Sequence, residues 1–155
     1  FYLSWKARQF DFYTEFIELA GKVNENMPHF CAAKVAEALN AQRTAVNGAR
    51  VHVVGVAYKA DVGDLRESPA LKLLELLDRQ GATLSYTDAH VPDLPERGLT
   101  SVPLYPAAEQ ADCVCIVTAH SGIDYLELAG RSRLVVDFRN ATGEVGARQE
   151  TVWKL

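Results

Sequence analysis

The sequence predicts an α/β protein: a doubly wound parallel sheet preceded by a helical segment. Three observations carry this. Between residues 50 and 155, short apolar, β-branched runs alternate with helix-period stretches, the order that a parallel sheet with right-handed crossovers requires. Two of those runs, Val51 to Tyr58 and Cys113 to Thr118, are almost continuously apolar, as in strands covered on both faces. Residues 1–46 show helical periodicity and no convincing strand.

In chain order, Thr14 can cap a helix beginning at Glu15. Phe16, Ala20, Val23, Met27 and Phe30 recur at steps of four and three and form one stripe; Ile17, Cys31, Val35 and Leu39 form a second. Pro28 is expected to kink this run or to start a new helix. Asn47-Gly48 closes the region with a turn. After the first strand, Ser68 and Pro69 mark a helix start, Leu71, Leu74 and Leu77 its buried face, and Gly81 its end. Leu84 to Thr87 reads as a second strand, Ala107 to Ala111 as a short helix, Cys113 to Thr118 as a third strand. Asp124 to Ala129 is helical, Leu134 to Asp137 a fourth strand and Val152 to Leu155 a fifth. The segment from Val91 to Pro106 carries four of the six prolines and reads as a loop.

The 155 residues are 48% hydrophobic and 23% charged, enough for a packed core and unlike a disordered or fibrous chain. A net charge of −4 without a basic cluster argues against nucleic-acid binding. No apolar run approaches the length of a membrane span. Three cysteines, an odd number, suit a reducing, cytoplasmic setting. Cys113 and Cys115 are expected on opposite faces of a strand, and Cys31 packed in a helix. No His, Cys, Asp or Glu cluster has metal-ligand spacing, so no metal is expected. The first residue is Phe1, and the only methionine is Met27, which reads as a piece of a longer protein.

In open parallel sheets ligands bind beyond the carboxyl ends of the strands. The residues just past each strand are Tyr58 and Lys59, Asp88, Ala119 and His120, and Phe138 and Arg139. Lys59 and Arg139, with His120 as a third candidate, would converge on one edge and suit a phosphate or carboxylate. The alternative is that each pairs locally with Asp61, Asp88 or Asp137. The loop from Lys59 to Ser68 is long and densely charged, with Asp61, Asp64, Arg66 and Glu67. Gly55 is placed within the first strand and no G-x-G-x-x-G follows, so a dinucleotide fingerprint is absent. Without it, Asp88 reads as a cap or turn residue and His52 as structural, while His29 and His90 carry no signal.

The run Gly55-Val56-Ala57-Tyr58-Lys59-Ala60-Asp61-Val62-Gly63-Asp64-Leu65-Arg66-Glu67-Ser68-Pro69-Ala70 resembles the C-terminal, Rossmann-like UDP-binding domain of NAD-dependent UDP-sugar 6-dehydrogenases. Phe1-Tyr2-Leu3-Ser4-Trp5-Lys6-Ala7-Arg8 looks like the segment after that family's catalytic cysteine motif. Phe16-Ile17-Glu18-Leu19-Ala20 and Asn24-Glu25-Asn26-Met27-Pro28 look like its central helices, and Val135-Val136-Asp137-Phe138-Arg139-Asn140-Ala141-Thr142 like its last sheet motif. Together these segments look most like the branch acting on UDP-N-acetylhexosamines.

The resemblance implies oxidation of a sugar C6 alcohol to a carboxylate by two NAD-dependent hydride transfers through a cysteine thioester. It implies that Tyr58, Lys59 and Arg139 contact the UDP-sugar and that Arg66 reaches NAD. It divides the chain into a dimerising helical segment, 1–46, and a UDP-binding domain, 50–155. The NAD domain and the nucleophilic cysteine are expected upstream of Phe1, since none of Cys31, Cys113 or Cys115 occupies the matching position; this piece alone is therefore expected to be inactive. A stand-alone nucleotide-binding regulatory module and a purely structural dimerisation fragment are the alternatives.

Overall fold

The computed structural model describes residues 5–6 and 14–155. The opening motif Phe1 to Arg8 thus lies, apart from Trp5 and Lys6, outside the described residues. Helix α1, Glu15–Ala41, runs unbroken through Pro28, which is buried and does not start a second helix. Thr14 is its N-cap by position, but its hydroxyl makes no capping bond. The stripe of Cys31, Val35 and Leu39 packs into the core, whereas Phe16, Val23 and Phe30 stay exposed. One stripe therefore serves this chain's own fold and the other does not.

Five strands form one parallel sheet: β1 Arg50–Val54, β2 Thr83–Thr87, β5 Cys113–Ile116, β6 Val135–Asp137 and β7 Val152–Lys154. Their spatial order is β2-β1-β5-β6-β7. Each crossover carries a helix: α2 Pro69–Arg79, α3 Leu104–Gln110, α4 Tyr125–Arg131 and α5 Gly143–Gly146. The chain leaves β1 toward β2 and then returns to add β5, β6 and β7 on the other side. With right-handed crossovers this reversal puts α2 on one face and α3 and α4 on the other. The core divides accordingly. Val51, Val53, Cys113, Cys115 and Val136 pack under α1 and α2, while Val54, Val114, Ile116 and Val135 pack under α3 and α4.

Four expectations need correction. Cys113 and Cys115 share a face, because the pleat repeats every two residues and positions i and i+2 are equivalent. Strands β1 and β5 end at Val54 and Ile116, earlier than their apolar runs suggest, since Val56, Ala57 and Val117 are buried as loop. Gly55 consequently lies past β1 rather than within it. The proline-rich segment is not a bare loop: β3 Asp93–Leu94 and β4 Leu99–Thr100 pair antiparallel around a 3-10 turn at Pro95–Arg97.

Local chemistry explains the remaining boundaries. Ser68 caps α2 by accepting from the Ala70 N–H, with Pro69 at the first helical position. Asp124 caps α4 by accepting from Leu126 and Glu127 N–H. His52 is buried between Ser85 Oγ and Thr87 Oγ1 on β2, and burial depresses its pKa to about 4.

Candidate functional site

The reversal of strand order makes a switch point between the carboxyl ends of β1 and β5, where parallel sheets place ligands. Gly55 opens it. Its φ is +79° and a Cβ there would strike the carbonyl of Thr118, so the two strand exits meet backbone to backbone only because residue 55 is glycine. Thr118 Oγ1 then donates to the Ala57 carbonyl at 2.6 Å, and Ser68 Oγ to the Val56 carbonyl at 2.7 Å.

Asp88, just past β2, faces the same junction with its carboxylate out of solvent. Oδ2 accepts from the Val56 N–H at 2.7 Å, the Ala57 N–H at 3.1 Å and His120 Nε2 at 2.9 Å; Oδ1 accepts from the His90 N–H at 2.8 Å. Burial pushes its pKa up, but these hydrogen bonds outweigh burial and the net direction is down. On the other side of His120, Nδ1 accepts from the Asp61 N–H at 3.0 Å. A nitrogen facing an N–H donor carries no proton, so His120 holds its proton on Nε2, toward Asp88. Asp61 in turn accepts from Ser121 N–H and Oγ, at 2.8 and 2.7 Å.

Tyr58 and Lys59 lie between the two clamps. Tyr58 is 54% exposed and lines a cavity of about 470 Å³, together with Gly21, Asn24 and Pro28 of α1, the α2 cap Ser68 and Lys72 of α2. Lys59 is exposed and its side chain makes no hydrogen bond or ion pair among the described residues. Arg139 follows β6, two strands from β1, and its guanidinium is equally free. Its loop is tied to a second buried carboxylate: Asp137 accepts from the Arg139, Ala141 and Thr142 N–H groups and the Thr142 hydroxyl. Burial again opposes those bonds, and again the net pKa direction is down.

Local pairing therefore describes His120, which is bonded to Asp88, and not Lys59 or Arg139. Arg66 is held within its own loop by Asp64 at 2.8 Å, and that guanidinium keeps the Asp64 carboxyl down at about 2. It lies in the Lys59–Ser68 loop rather than at a strand exit.

Asp88, Asp137 and Asp61 organise this edge and were not legible as such in the sequence. Asp88 meets Val56 from 32 positions away, and only the fold reveals that. The same holds for a cluster that spacing did not reveal: Asp61, His90 and His120 bring potential ligand atoms within 4.8 Å of one another. His120 Nδ1 is already engaged by the Asp61 N–H and both Asp61 oxygens by Ser121, whereas His90 Nε2 lies 3.9 Å from Asp61 Oδ1. The thiols lie elsewhere, in the core. Burial raises Cys31 to about 11, and the Cys113 thiol together with burial raises Cys115.

Comparison with known proteins identifies the family and supports the fold. Residues 52–144 match the UDP-glucose/GDP-mannose dehydrogenase family, UDP binding domain. A UDP-N-acetyl-D-mannosamine dehydrogenase of Pyrococcus horikoshii is 33% identical over 133 residues, 83% of this chain and 30% of that protein. An NDP-N-acetyl-D-galactosaminuronic acid dehydrogenase of Ralstonia solanacearum is 29% identical over 127 residues, 79% of this chain and 29% of that protein. Among solved structures, a UDP-D-ManNAc dehydrogenase from Pyrococcus horikoshii superposes with a TM-score of 0.71 at 27% identity, covering 91% of this chain and 33% of that one. The chain thus spans less than a third of the length of those two curated relatives.

Proposed function

The chain belongs to the UDP-glucose/GDP-mannose dehydrogenase family through its UDP-binding domain, and from that premise we propose that it holds the UDP moiety of a UDP-N-acetylhexosamine for an NAD-dependent 6-dehydrogenase. The observation that carries this is the pair of free cations. Among the described residues, the Lys59 and Arg139 side chains at the strand exits make no hydrogen bond or ion pair, although Lys59 is close enough to Asp64 to help lower its pKa, and each sits on a loop whose N–H groups are fixed by a buried carboxylate. Two cations on one sheet edge, each carried by an anchored backbone, complement a diphosphate and leave only their side chains to be ordered on binding. Tyr58 supports the same reading, since its ring borders the adjacent cavity.

In this reading the domain binds and orients, and oxidation of the C6 alcohol to the uronic acid depends on groups beyond its own. The thiols here are buried or have raised pKa values, unlike an activated nucleophile. The residues present do not make an NAD site: one glycine opens a long charged connection from β1 to α2, in place of a tight glycine-rich turn. Arg66 alone, exposed near the α2 end of that connection and paired with Asp64, is offered toward NAD, and the chain by itself is proposed to be inactive. The free cysteines fit a cytoplasmic protein. Among the described residues no helix is long and apolar enough to cross a membrane.

We further propose a homodimer through α1. Phe16 is 88% exposed, and Leu19, Val23 and Phe30 at least half exposed beside it. An apolar stripe of this kind is uncommon on a monomer's surface.

Calorimetric titration of the chain with UDP and with ADP tests the ligand reading. UDP should bind, ADP less well, and Lys59→Ala or Arg139→Ala should weaken UDP about tenfold. Equal binding of ADP, or no effect of either substitution, would count against it.

A further inference from the structure

We infer that Asp88 and His120 are positioning residues for nucleotide binding, forming a strut that fixes the backbone on both sides of Tyr58 and Lys59. This rests on the UDP reading above and goes beyond it, since neither side chain is offered to the ligand. At the start of the turn, Asp88 Oδ2 takes the Val56 and Ala57 N–H groups. At its end, His120 Nδ1 takes the Asp61 N–H. The Nε2–H of His120 joins the two by donating to the same Asp88 oxygen. Both side chains are at most 2% exposed. Three strand exits, those of β1, β2 and β5, are thus tied through one carboxylate and one imidazole.

The position of the turn depends on a single tautomer. Nδ1 must accept and Nε2 must donate, and exchanging the two would set N–H against N–H at Asp61. The groups facing the ring are Asp88 and His90 from the β2 exit and the Asp61 carboxylate 3.9 Å from Nδ1, while Tyr125 of α4 donates its hydroxyl to the His120 backbone carbonyl. A turn already clamped at both ends presents Lys59 without the ordering cost that a loose loop would add to binding.

Side-chain geometry allows the two halves of the strut to be cut separately. His120→Asn keeps an acceptor at the Nδ1 position, while His120→Gln keeps a donor near Nε2 and removes the acceptor for Asp61. Asp88→Asn keeps the shape and removes the charge. Leu128→Ala opens a cavity in the core under α4 and serves as a stability control. The experiment measures UDP affinity for each chain by NMR titration, with amide exchange at Ala57 and Asp61 and a thermal melt on the same samples. Asp88→Asn and His120→Gln should lose about tenfold in UDP affinity, His120→Asn clearly less, and Leu128→Ala should melt lower with affinity unchanged. Faster exchange of the Asp61 amide should accompany the His120→Gln loss. If Asp88→Asn does not fold, His120→Gln decides.

UDP binding by the unaltered chain with Asp88→Asn and His120→Gln within about twofold of it would overturn the strut and leave the UDP reading standing. An affinity loss in Leu128→Ala equal to theirs would also overturn it, by showing that stability alone is responsible. No UDP binding by the unaltered chain would defeat the UDP reading and the strut with it.

Discussion

Gly55 and Thr118 meet backbone to backbone at the exits of β1 and β5, so closely that a Cβ on residue 55 would run into the Thr118 carbonyl oxygen. The positive φ of Gly55 lets β1 turn directly into the buried Val56-Ala57 segment. Gly55→Ala would add both a left-handed conformation that alanine resists and a steric collision. The expected loss is at least about 2 kcal/mol of stability. A urea titration should show a lower midpoint with an unchanged slope. A midpoint within error of the parent would mean that the contact is not tight in solution.

Among the described residues, Lys59 and Arg139 make no hydrogen bond or ion pair through their side chains. Replacing either with alanine should leave the thermal midpoint unchanged while UDP affinity falls about tenfold. The double substitution should abolish measurable binding, because both charges are proposed to face one diphosphate. A fall in stability that parallels the fall in affinity would instead mark these residues as structural.

His52 gives a pH dependence with a definite sign. Its pKa is depressed from 6.5 to about 4 by burial, so between those values the unfolded chain binds more protons than the folded one. Stability therefore falls as the pH drops from 6.5 toward 4, by about 3 kcal/mol at the lower end. His52→Gln cannot titrate, and its stability should be flatter across that window. Below it, Asp88 and Asp137 take over. Their folded pKa values are depressed, so their stabilisation is present above the unfolded carboxylate value and is lost as the pH falls through the folded one. Chemical denaturation at a series of pH values measures both effects.

The exposed stripe on α1 predicts association. Each buried phenylalanine would contribute roughly 1.5–3 kcal/mol at a helix–helix interface. Phe16→Glu and Phe30→Glu should convert a dimer to a monomer in sedimentation velocity without changing the helical circular dichroism. A parent chain that is already monomeric at micromolar concentration would contradict the dimer.

What the sequence disclosed followed how local the responsible chemistry was. Ser68-Pro69 announced α2 because capping is a contact between neighbours, and the apolar runs announced β1 and β5 because burial on both faces needs no partner to be named. Lys59 and Arg139 could be placed on one edge because strand exits in a parallel sheet share an edge. The exact exits were not legible, since Val56 and Ala57 are as apolar as a strand yet spend their N–H groups on Asp88. Asp88, His120 and Asp61 gained their meaning only when residues 31 to 60 positions apart were brought together. The parity of Cys113 and Cys115 is different: strand geometry alone puts positions two apart on one face, and both pack in the same core.

The β1, β5 and β6 exits are proposed to form one UDP site. The most direct measurement is a map of backbone amide shifts as UDP is titrated into the ¹⁵N-labelled chain. Shifts are expected at residues 56–61, 118–121 and 139–142, with those near Lys59 and Arg139 titrating together to one dissociation constant. Shifts confined to another face, or none at millimolar UDP, would contradict it.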